Sequence, residues 1–275
     1  MGARQFLLTL ALVTGAACAS AQTTRIVRLT TTDDVGVIAT YYPVDRDRAP
    51  AVLLLHDLNR TRADWNEFAL LLQRNRIAAL TIDFRGHGDS MRKLTAAGPV
   101  EVKLQDFTER DLQKMLLDVE AAVDWLQQQS EIDGKHIAVI GSSFGANVAL
   151  RYAALNEDLA GVAMLSPGLN YRGIRADDVI RQLGPMPLQI FVSHEDAYAF
   201  ESSKRLVEMH HESRTTTTNN ELMVCTGSLH GTAMLPGVKG FPQTLLNWCR
   251  QVLFAESAAS PAPPRTSATP ASPTK

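Results

Sequence analysis

Apolar residues are arranged along this chain in two patterns, continuous runs and a spacing of three to four residues, which predict the order of its strands and helices. Uninterrupted apolar runs, typical of strands buried on both faces of a parallel sheet, occur at 51–56, 77–82, 136–140, 159–165, 187–192 and 221–225. Segments with apolar residues three and four positions apart, typical of helices, occur at 63–74, 111–129, 144–155, 199–210 and 242–254. Residues 25–32 and 35–42 predict an antiparallel hairpin. This order favours an α/β fold with a mostly parallel, doubly wound sheet of about eight strands.

The first 21 residues have the composition of a secretory signal peptide. Arg4 precedes an apolar stretch that is too short to span a bilayer, and small residues follow up to Ala21. We expect cleavage after Ala21, and the alternative is a lipoprotein signal with a lipid anchor at Cys18. Either route predicts an exported protein, periplasmic or secreted.

The other end of the chain also differs from the central pattern. Residues 257–275 are almost entirely Ser, Ala, Pro and Thr, which bury too little apolar surface to offset the entropy of ordering. We expect a disordered tail there, and one domain over residues 22–256.

Composition narrows the classes of partner. Hydrophobic residues make up 45% of the chain, charged residues 20%, and the formal net charge is −2. No basic stripe of the kind that neutralises phosphates is visible, so nucleic acid is not an expected partner. After cleavage only Cys225 and Cys249 would remain, and both a disulfide and two separate buried thiols stay open.

The strongest chemical signal lies where the strand at 136–140 meets the helix at 144–155. The link is Gly141-Ser142-Ser143-Phe144-Gly145, a G-x-S-x-G sequence between strand and helix. In that context the serine occupies a tight turn at a helix N-terminus, with its hydroxyl exposed. Ser143 is therefore the candidate nucleophile.

A serine hydroxyl needs a base, and the base needs an orienting acid. His230 follows the strand at 221–225, and Asp196 follows the strand at 187–192. We assign them as base and acid. Glu195 is the alternative acid, although it comes one position earlier, and His194 is expected to be an ordinary loop residue.

Acyl transfer also needs two N–H donors for the developing oxyanion. We expect them to be the backbone amides of Phe144, directly after the nucleophile, and of Leu58, after the strand at 51–56. This chemistry requires no cofactor and no metal. Asp83 is expected to hold a hydrogen-bonded turn, and the adjacent His210 and His211 are expected to be solvated.

Together these motifs resemble the α/β-hydrolase superfamily over nearly all of the predicted domain, most closely its compact dienelactone-hydrolase-like and carboxylesterase-like members. The resemblance implies the chain order Ser143, Asp196, His230 and a small-molecule ester as substrate. Two departures stand out. Asp57 occupies the position where the family usually has glycine after His56, and Ser143 stands where dienelactone hydrolases have cysteine.

The resemblance does not decide which segments overlie the site or which reaction takes place there. The segment 168–184, where many relatives insert a helical cap, is short, so we expect a minimal cap; this segment and 91–106 are either substrate covers or surface loops. The leading hypothesis is a serine esterase acting through an acyl-enzyme. The alternatives are a peptidase or amidase on the same fold, and a non-catalytic binding protein that retains the scaffold.

Overall fold

A computed structural model describes residues 23–213 and 221–255 of the chain. The predicted signal peptide, the Cys18 anchor and the C-terminal tail lie outside these residues and stay predictions. Within the described part of the chain, no helix combines the length and apolarity needed to cross a bilayer.

The described residues form one ten-stranded sheet of order β12-β11-β8-β7-β3-β4-β2-β5-β6, with β1 paired to β2. The six strands from β12 to β4 are parallel, while β1, β5 and β6 join through antiparallel pairs at the β2 end. The strands are β1 Arg25–Thr30, β2 Val35–Tyr42, β3 Ala49–Leu55, β4 Ala78–Ile82, β5 Arg92–Thr95, β6 Gly98–Glu101, β7 Ile132–Ser142, β8 Gly161–Leu165, β11 Leu188–Ser193 and β12 Leu222–Cys225, with a separate pair β9 Asn170–Tyr171 and β10 Ile174–Arg175. The prediction of a mostly parallel α/β sheet with an N-terminal hairpin is confirmed.

Seven helices in the described residues cover the two faces of the sheet. They are α1 Asn66–Arg74, α2 Glu109–Gln113, α3 Met115–Gln128, α4 Phe144–Leu155, α5 Ala197–Glu212, α6 Met234–Gly237 and α7 Phe241–Leu253. Successive residues of β3 point to opposite faces: Val52 and Leu54 pack with α1 and α7, and Leu53 and Leu55 pack with α3 and α4. Burial on both faces explains why the parallel strands read as continuous apolar runs.

The segment 91–106, for which a substrate cover and a surface loop were both open, contains the hairpin β5–β6, which extends the sheet beyond β2. Leu94 and Val100 on this hairpin are largely exposed, so no apolar alternation marks it in the sequence. Between β8 and β11 lie only the hairpin β9–β10 and a short turn of 3₁₀ helix, which is the expected minimal cap.

The two cysteines among the described residues are free thiols. Cys225 lies at the end of β12, and Cys249 is buried on α7, where burial raises the pKa of its thiol. The disulfide considered above is therefore not formed in this structure.

The parallel strands bring the candidate residues to one edge of the sheet. Leu58 follows β3, Ser143 follows β7, Asp196 follows β11 and His230 follows β12. Parallel strands all end at the same edge, so loops that are far apart in the sequence meet there.

Candidate active site

Ser143 occupies a strained turn between β7 and α4. Its backbone lies in the left-handed region at φ 52°, which a non-glycine residue adopts at a cost of about 1 kcal/mol or more. Gly141 and Gly145 make this turn possible, since a side chain on Gly141 would collide with the Gly145 backbone and one on Gly145 with the β3 end. The Ser143 N–H donates to the Leu165 carbonyl of β8 at 2.7 Å, which anchors the turn to the neighbouring strand.

Ser143, His230 and Asp196 form one hydrogen-bonded chain. The Ser143 hydroxyl donates to His230 Nε2 at 2.7 Å, and His230 Nδ1–H donates to Asp196 Oδ2 at 2.6 Å. The Asp196 side chain is only 15% exposed and that of His230 is 39% exposed, so the base has access to solvent while the acid is largely shielded. This is the geometry that nucleophile, base and orienting acid require.

The loop that carries His230 is held on both sides of the histidine. The Ser193 hydroxyl at the end of β11 donates to the Leu229 carbonyl at 2.6 Å. The Gly231 N–H donates to the Ser166 hydroxyl, directly after β8, at 3.0 Å. These bonds, each worth about 1 kcal/mol, fix the imidazole relative to the sheet edge.

The neighbours of Asp196 take other positions. Glu195 and His194 are exposed, and the His194 ring packs against Phe200 with ring centres 4.9 Å apart. Of the two adjacent carboxylates, Asp196 is the one that bonds His230.

The two expected oxyanion donors lie beside the turn 141–145 between β7 and α4, which we call the elbow. Phe144 is the first residue of α4, so its N–H has no acceptor within the helix. Leu58 follows β3, the strand next to β7. In the described chain neither amide donates a hydrogen bond to another protein group, so both stay available to a ligand.

His56 is a structural residue and shapes the Leu58 loop. It is fully buried; its Nδ1–H donates to the Asp57 carbonyl at 2.7 Å, and its Nε2 accepts from the Phe84 N–H at 3.0 Å. Burial lowers the pKa of His56 to about 3, so the imidazole is neutral. It joins the loops after β3 and β4.

Asp57, which replaces the family's usual glycine, packs behind the elbow on the His230 side. A Cβ on Gly231 would stand 2.5 Å from Asp57 Oδ2, and it would also collide with the Ser142 hydroxyl, so these groups lie together. Asp57 Oδ1 is buried without a hydrogen-bond partner in the described residues, and burial raises the pKa of this carboxyl. A buried carboxyl therefore lies close to His230.

Tyr171 is a site residue that the sequence analysis did not identify. Its ring lies edge-on to that of His230 with centres 6.4 Å apart, and its hydroxyl donates to the Ser166 carbonyl at 3.3 Å. Burial raises the pKa of this hydroxyl, which lies beside Ser143. Tyr171 belongs to the two-residue strand β9, too short to leave a periodic signal.

Two further predictions have different outcomes. Asp83 holds a turn as expected, because it accepts from the Arg62 N–H at 2.7 Å and the Asp89 N–H at 2.9 Å and pairs with the Arg62 guanidinium. The prediction of a solvated His210 is wrong: its side chain is 1% exposed and lies 3.7 Å from Glu221. His211, 29% exposed, contacts the same carboxylate at 2.9 Å.

The described residues contain no group of three or more His, Cys, Asp or Glu side chains placed to hold a metal ion. The candidate site is thus assembled from a serine, a histidine, a carboxylate and backbone amides.

Comparison with known proteins agrees with this architecture. Residues 52–269 match the model of the Alpha/beta hydrolase family. Two uncharacterised proteins of Mycobacterium tuberculosis strains are each 28% identical over 144 residues, which is 52% of this chain. The matched region is 45% of each relative, so the chain spans less than half the length of the relatives it matches.

Solved structures show the same fold. An α/β hydrolase from a Penicillium species superposes with a TM-score of 0.68 at 16% identity, over 85% of this chain and 100% of that one. A Pyrococcus furiosus esterase gives 0.63 at 19% identity, over 84% and 90%. A dienelactone hydrolase from Anabaena variabilis gives 0.63 at 18% identity, over 84% and 98%. The family match and the sheet with its strand-turn-helix elbow lead to one assignment: the chain belongs to the Alpha/beta hydrolase family.

Proposed function

We propose that this protein is a metal-independent serine hydrolase that cleaves carboxylic esters. The observation that carries the proposal is the hydrogen-bonded chain from Asp196 through His230 to Ser143, with distances of 2.6 and 2.7 Å. Family membership alone does not establish an activity, whereas a nucleophile bonded to an oriented base is a specific arrangement.

In the first half of the reaction, Ser143 Oγ attacks the acyl carbon while His230 Nε2 takes its proton. Asp196 stabilises the resulting imidazolium through Nδ1–H. The amides of Phe144 and Leu58 donate to the oxyanion, helped by the positive end of the α4 dipole. His230 then returns the proton to the leaving alkoxide, which departs as the alcohol and leaves an ester on Ser143.

In the second half, water replaces the alcohol. His230 removes a proton from the water as it attacks the acyl-enzyme, and the same amides hold the second oxyanion. Collapse of this intermediate returns the proton to Ser143 Oγ and releases the carboxylic acid. The protein groups end as they began, so the net reaction is ester plus water to acid plus alcohol.

The direct test compares the two serines of the elbow. Ser143→Ala should lower the hydrolysis of p-nitrophenyl butyrate by roughly a thousandfold or more, because the nucleophile is gone. Ser142→Ala is the matched control: it removes the neighbouring hydroxyl, which lies beside the Asp57 carboxyl, whereas Ser143 is the serine that bonds His230, and it should retain activity. Equal activities of wild type and Ser143→Ala would refute the proposal.

Further substrates separate the alternatives. A p-nitroanilide series measures amidase activity, and a higher kcat/KM for the anilides than for matched esters would favour a peptidase. A protein that hydrolyses neither series and fails to react with a fluorophosphonate would be a binding protein on a hydrolase scaffold.

A further inference from the structure

A cleft lies next to the candidate site, on the side of the loop that contains Leu58. Its volume is about 590 Å³, within the range of small-molecule sites. Its walls are the loop after β3, the turn after β4, the segment that follows β6 and the tip of the β9–β10 hairpin. They include Asn59, Arg60, His87, Lys103, Gln105 and Arg172.

The cleft is positively charged. Arg60, Lys103 and Arg172 line it, and no carboxylate is among its lining residues. Arg60 is held by Asp64 through two bonds of 2.6 and 2.9 Å, and Lys103 by Glu101 at 2.8 Å, both from outside the lining. Arg172 has no ion pair within the described part of the chain. Burial lowers the pKa of His87, so this imidazole adds no charge at neutral pH. One guanidinium therefore remains for a ligand.

The position of Arg172 is fixed by its turn. Arg172 and Gly173 both have positive φ, 50° and 85°, as the two-residue turn between β9 and β10 requires. The Tyr198 hydroxyl accepts from the Asn170 N–H at 3.1 Å and lies 2.9 Å from the Asn170 carbonyl, and the Gly173 N–H donates to Asn170 Oδ1 at 2.8 Å. These bonds hold the hairpin that presents Arg172.

Residues of the cleft wall are adjacent in the chain to two residues of the candidate site, Tyr171 and Leu58. Arg172 directly follows Tyr171, whose ring contacts His230. On the opposite wall, Asn59 and Arg60 directly follow Leu58, the expected oxyanion donor. A substrate whose carbonyl lies at Ser143 can therefore extend past Tyr171 and Leu58 toward the cationic cleft.

We propose that this cleft binds a carboxylate on the substrate, so that the protein prefers anionic esters such as monoesters of dicarboxylic acids. A carboxylate matches a guanidinium through two parallel hydrogen bonds, and a single unpaired Arg172 suits one negative charge. The proposal rests on the proposed esterase function and names its substrate class.

The test compares monomethyl with dimethyl esters of dicarboxylic acids from succinate to suberate, with kcat/KM measured by acid release. At the best chain length the wild type should favour the monoanionic ester by about five- to tenfold. Arg172→Gln should abolish most of this preference through a higher KM, and Arg172→Lys should restore part of it. High salt should weaken the preference, because the guanidinium is exposed.

The matched control is Arg175→Gln, on the same hairpin but outside the cleft, where Arg175 pairs with Asp177 at 2.6 Å. This variant should keep the wild-type preference. Equal kcat/KM for the two ester series at every length, or a preference unchanged by Arg172→Gln, would overturn the proposal.

A binding measurement separates this inference from the proposed chemistry. Calorimetric titration of the Ser143→Ala variant with the monomethyl esters should detect binding that weakens when Arg172→Gln is added. If the esters bind but the wild type does not hydrolyse them, the esterase function is refuted and carboxylate binding in the cleft stands. If the wild type hydrolyses monoanionic and neutral esters equally well, the esterase function stands and carboxylate binding is refuted.

Discussion

At the scale of single residues, His56 shows how the site depends on groups outside the proposed chemistry. It bonds the Asp57 carbonyl and the Phe84 N–H, and so positions the loop that contains the Leu58 amide. Both bonds require a neutral imidazole with its proton on Nδ1. The state of one buried histidine therefore bears on the stability of the loop beside Ser143.

Stability should fall in mild acid because of this residue. Between pH 6.5 and 3 an unfolded His56 takes up a proton that the folded protein, with a pKa of about 3, does not. The unfolded state then binds more protons, so the free energy of unfolding decreases as pH falls, by about 2 kcal/mol from pH 7 to pH 5 for this group.

Urea unfolding at both pH values checks this expectation. His56→Asn is expected to be less stable at pH 7, but its loss between pH 7 and pH 5 should be smaller than that of the wild type by about 2 kcal/mol. The same pH dependence in both proteins would contradict the account of His56.

The sequence predicted the roles of some site residues and missed those of others. Ser143, Asp196 and His230 each lie in a segment that follows a predicted strand, and the structure brings them together. The burial of His210 could have been predicted, because Leu206 lies four residues earlier on the same buried face of α5. Tyr171 and Arg172 owe their positions to long-range packing of a hairpin, which no local pattern encodes.

At the scale of elements, the critical contact is that of α4 on β3. A Cβ on Gly145 would lie 2.5 Å from the His56 carbonyl oxygen and 2.8 Å from that of Leu55. The helix that begins after Ser143 can therefore approach β3 only because position 145 lacks a side chain. The second glycine of the elbow sets the height of the nucleophile above the sheet.

Gly145→Ala should consequently push α4 away from β3. We expect a destabilisation of about 1–3 kcal/mol and a loss of ester hydrolysis larger than that destabilisation explains, since Ser143 moves with the helix. Thermal unfolding and kcat/KM measure the two effects separately.

Gly134→Ala is the control for this substitution. Its Cβ would lie 3.5 Å from Gln127 Cγ, an ordinary contact, and its stability should stay within about 0.5 kcal/mol of the wild type. If Gly145→Ala were equally harmless, the close approach of α4 to β3 would be wrong.

Strands were predicted correctly from the sequence where both of their faces are buried, and they were missed where both faces are exposed. The strands from β11 to β4 are apolar because helices cover both faces, so the sequence alone indicates them. The edge strand β12 is apolar as well, although Met223 and Val224 are exposed. The exposed hairpin β5–β6 carries charged and apolar residues without alternation, and its Ala96-Ala97 turn is not a typical hairpin signal. Its place beside β2 depends on pairing with a distant strand.

At the scale of the whole molecule, parallel topology explains why residues from four separate loops meet. Strands β3, β7, β8, β11 and β12 are consecutive neighbours in the sheet, and each presents its carboxyl end at the same edge. The sequence predicted that arrangement through the strand-helix alternation, but not the shape of the cleft. That shape depends on Met91, Lys103 and Arg172, which lie in the two segments that the sequence left open between substrate covers and surface loops.

If this edge of the sheet activates one serine, that serine should react with a fluorophosphonate. An activated Ser143 Oγ displaces fluoride from the probe and forms a stable adduct. Trypsin should release residues 136–151, between Lys135 and Arg151, as one peptide that contains only Ser142 and Ser143 as serines. Fragmentation by mass spectrometry then locates the added group.

We expect one probe per chain, attached to Ser143, and no labelling of the Ser143→Ala and His230→Ala variants or of heat-denatured protein. No adduct on folded wild type, or an adduct on Ser142 or a serine elsewhere in the chain, would contradict this expectation.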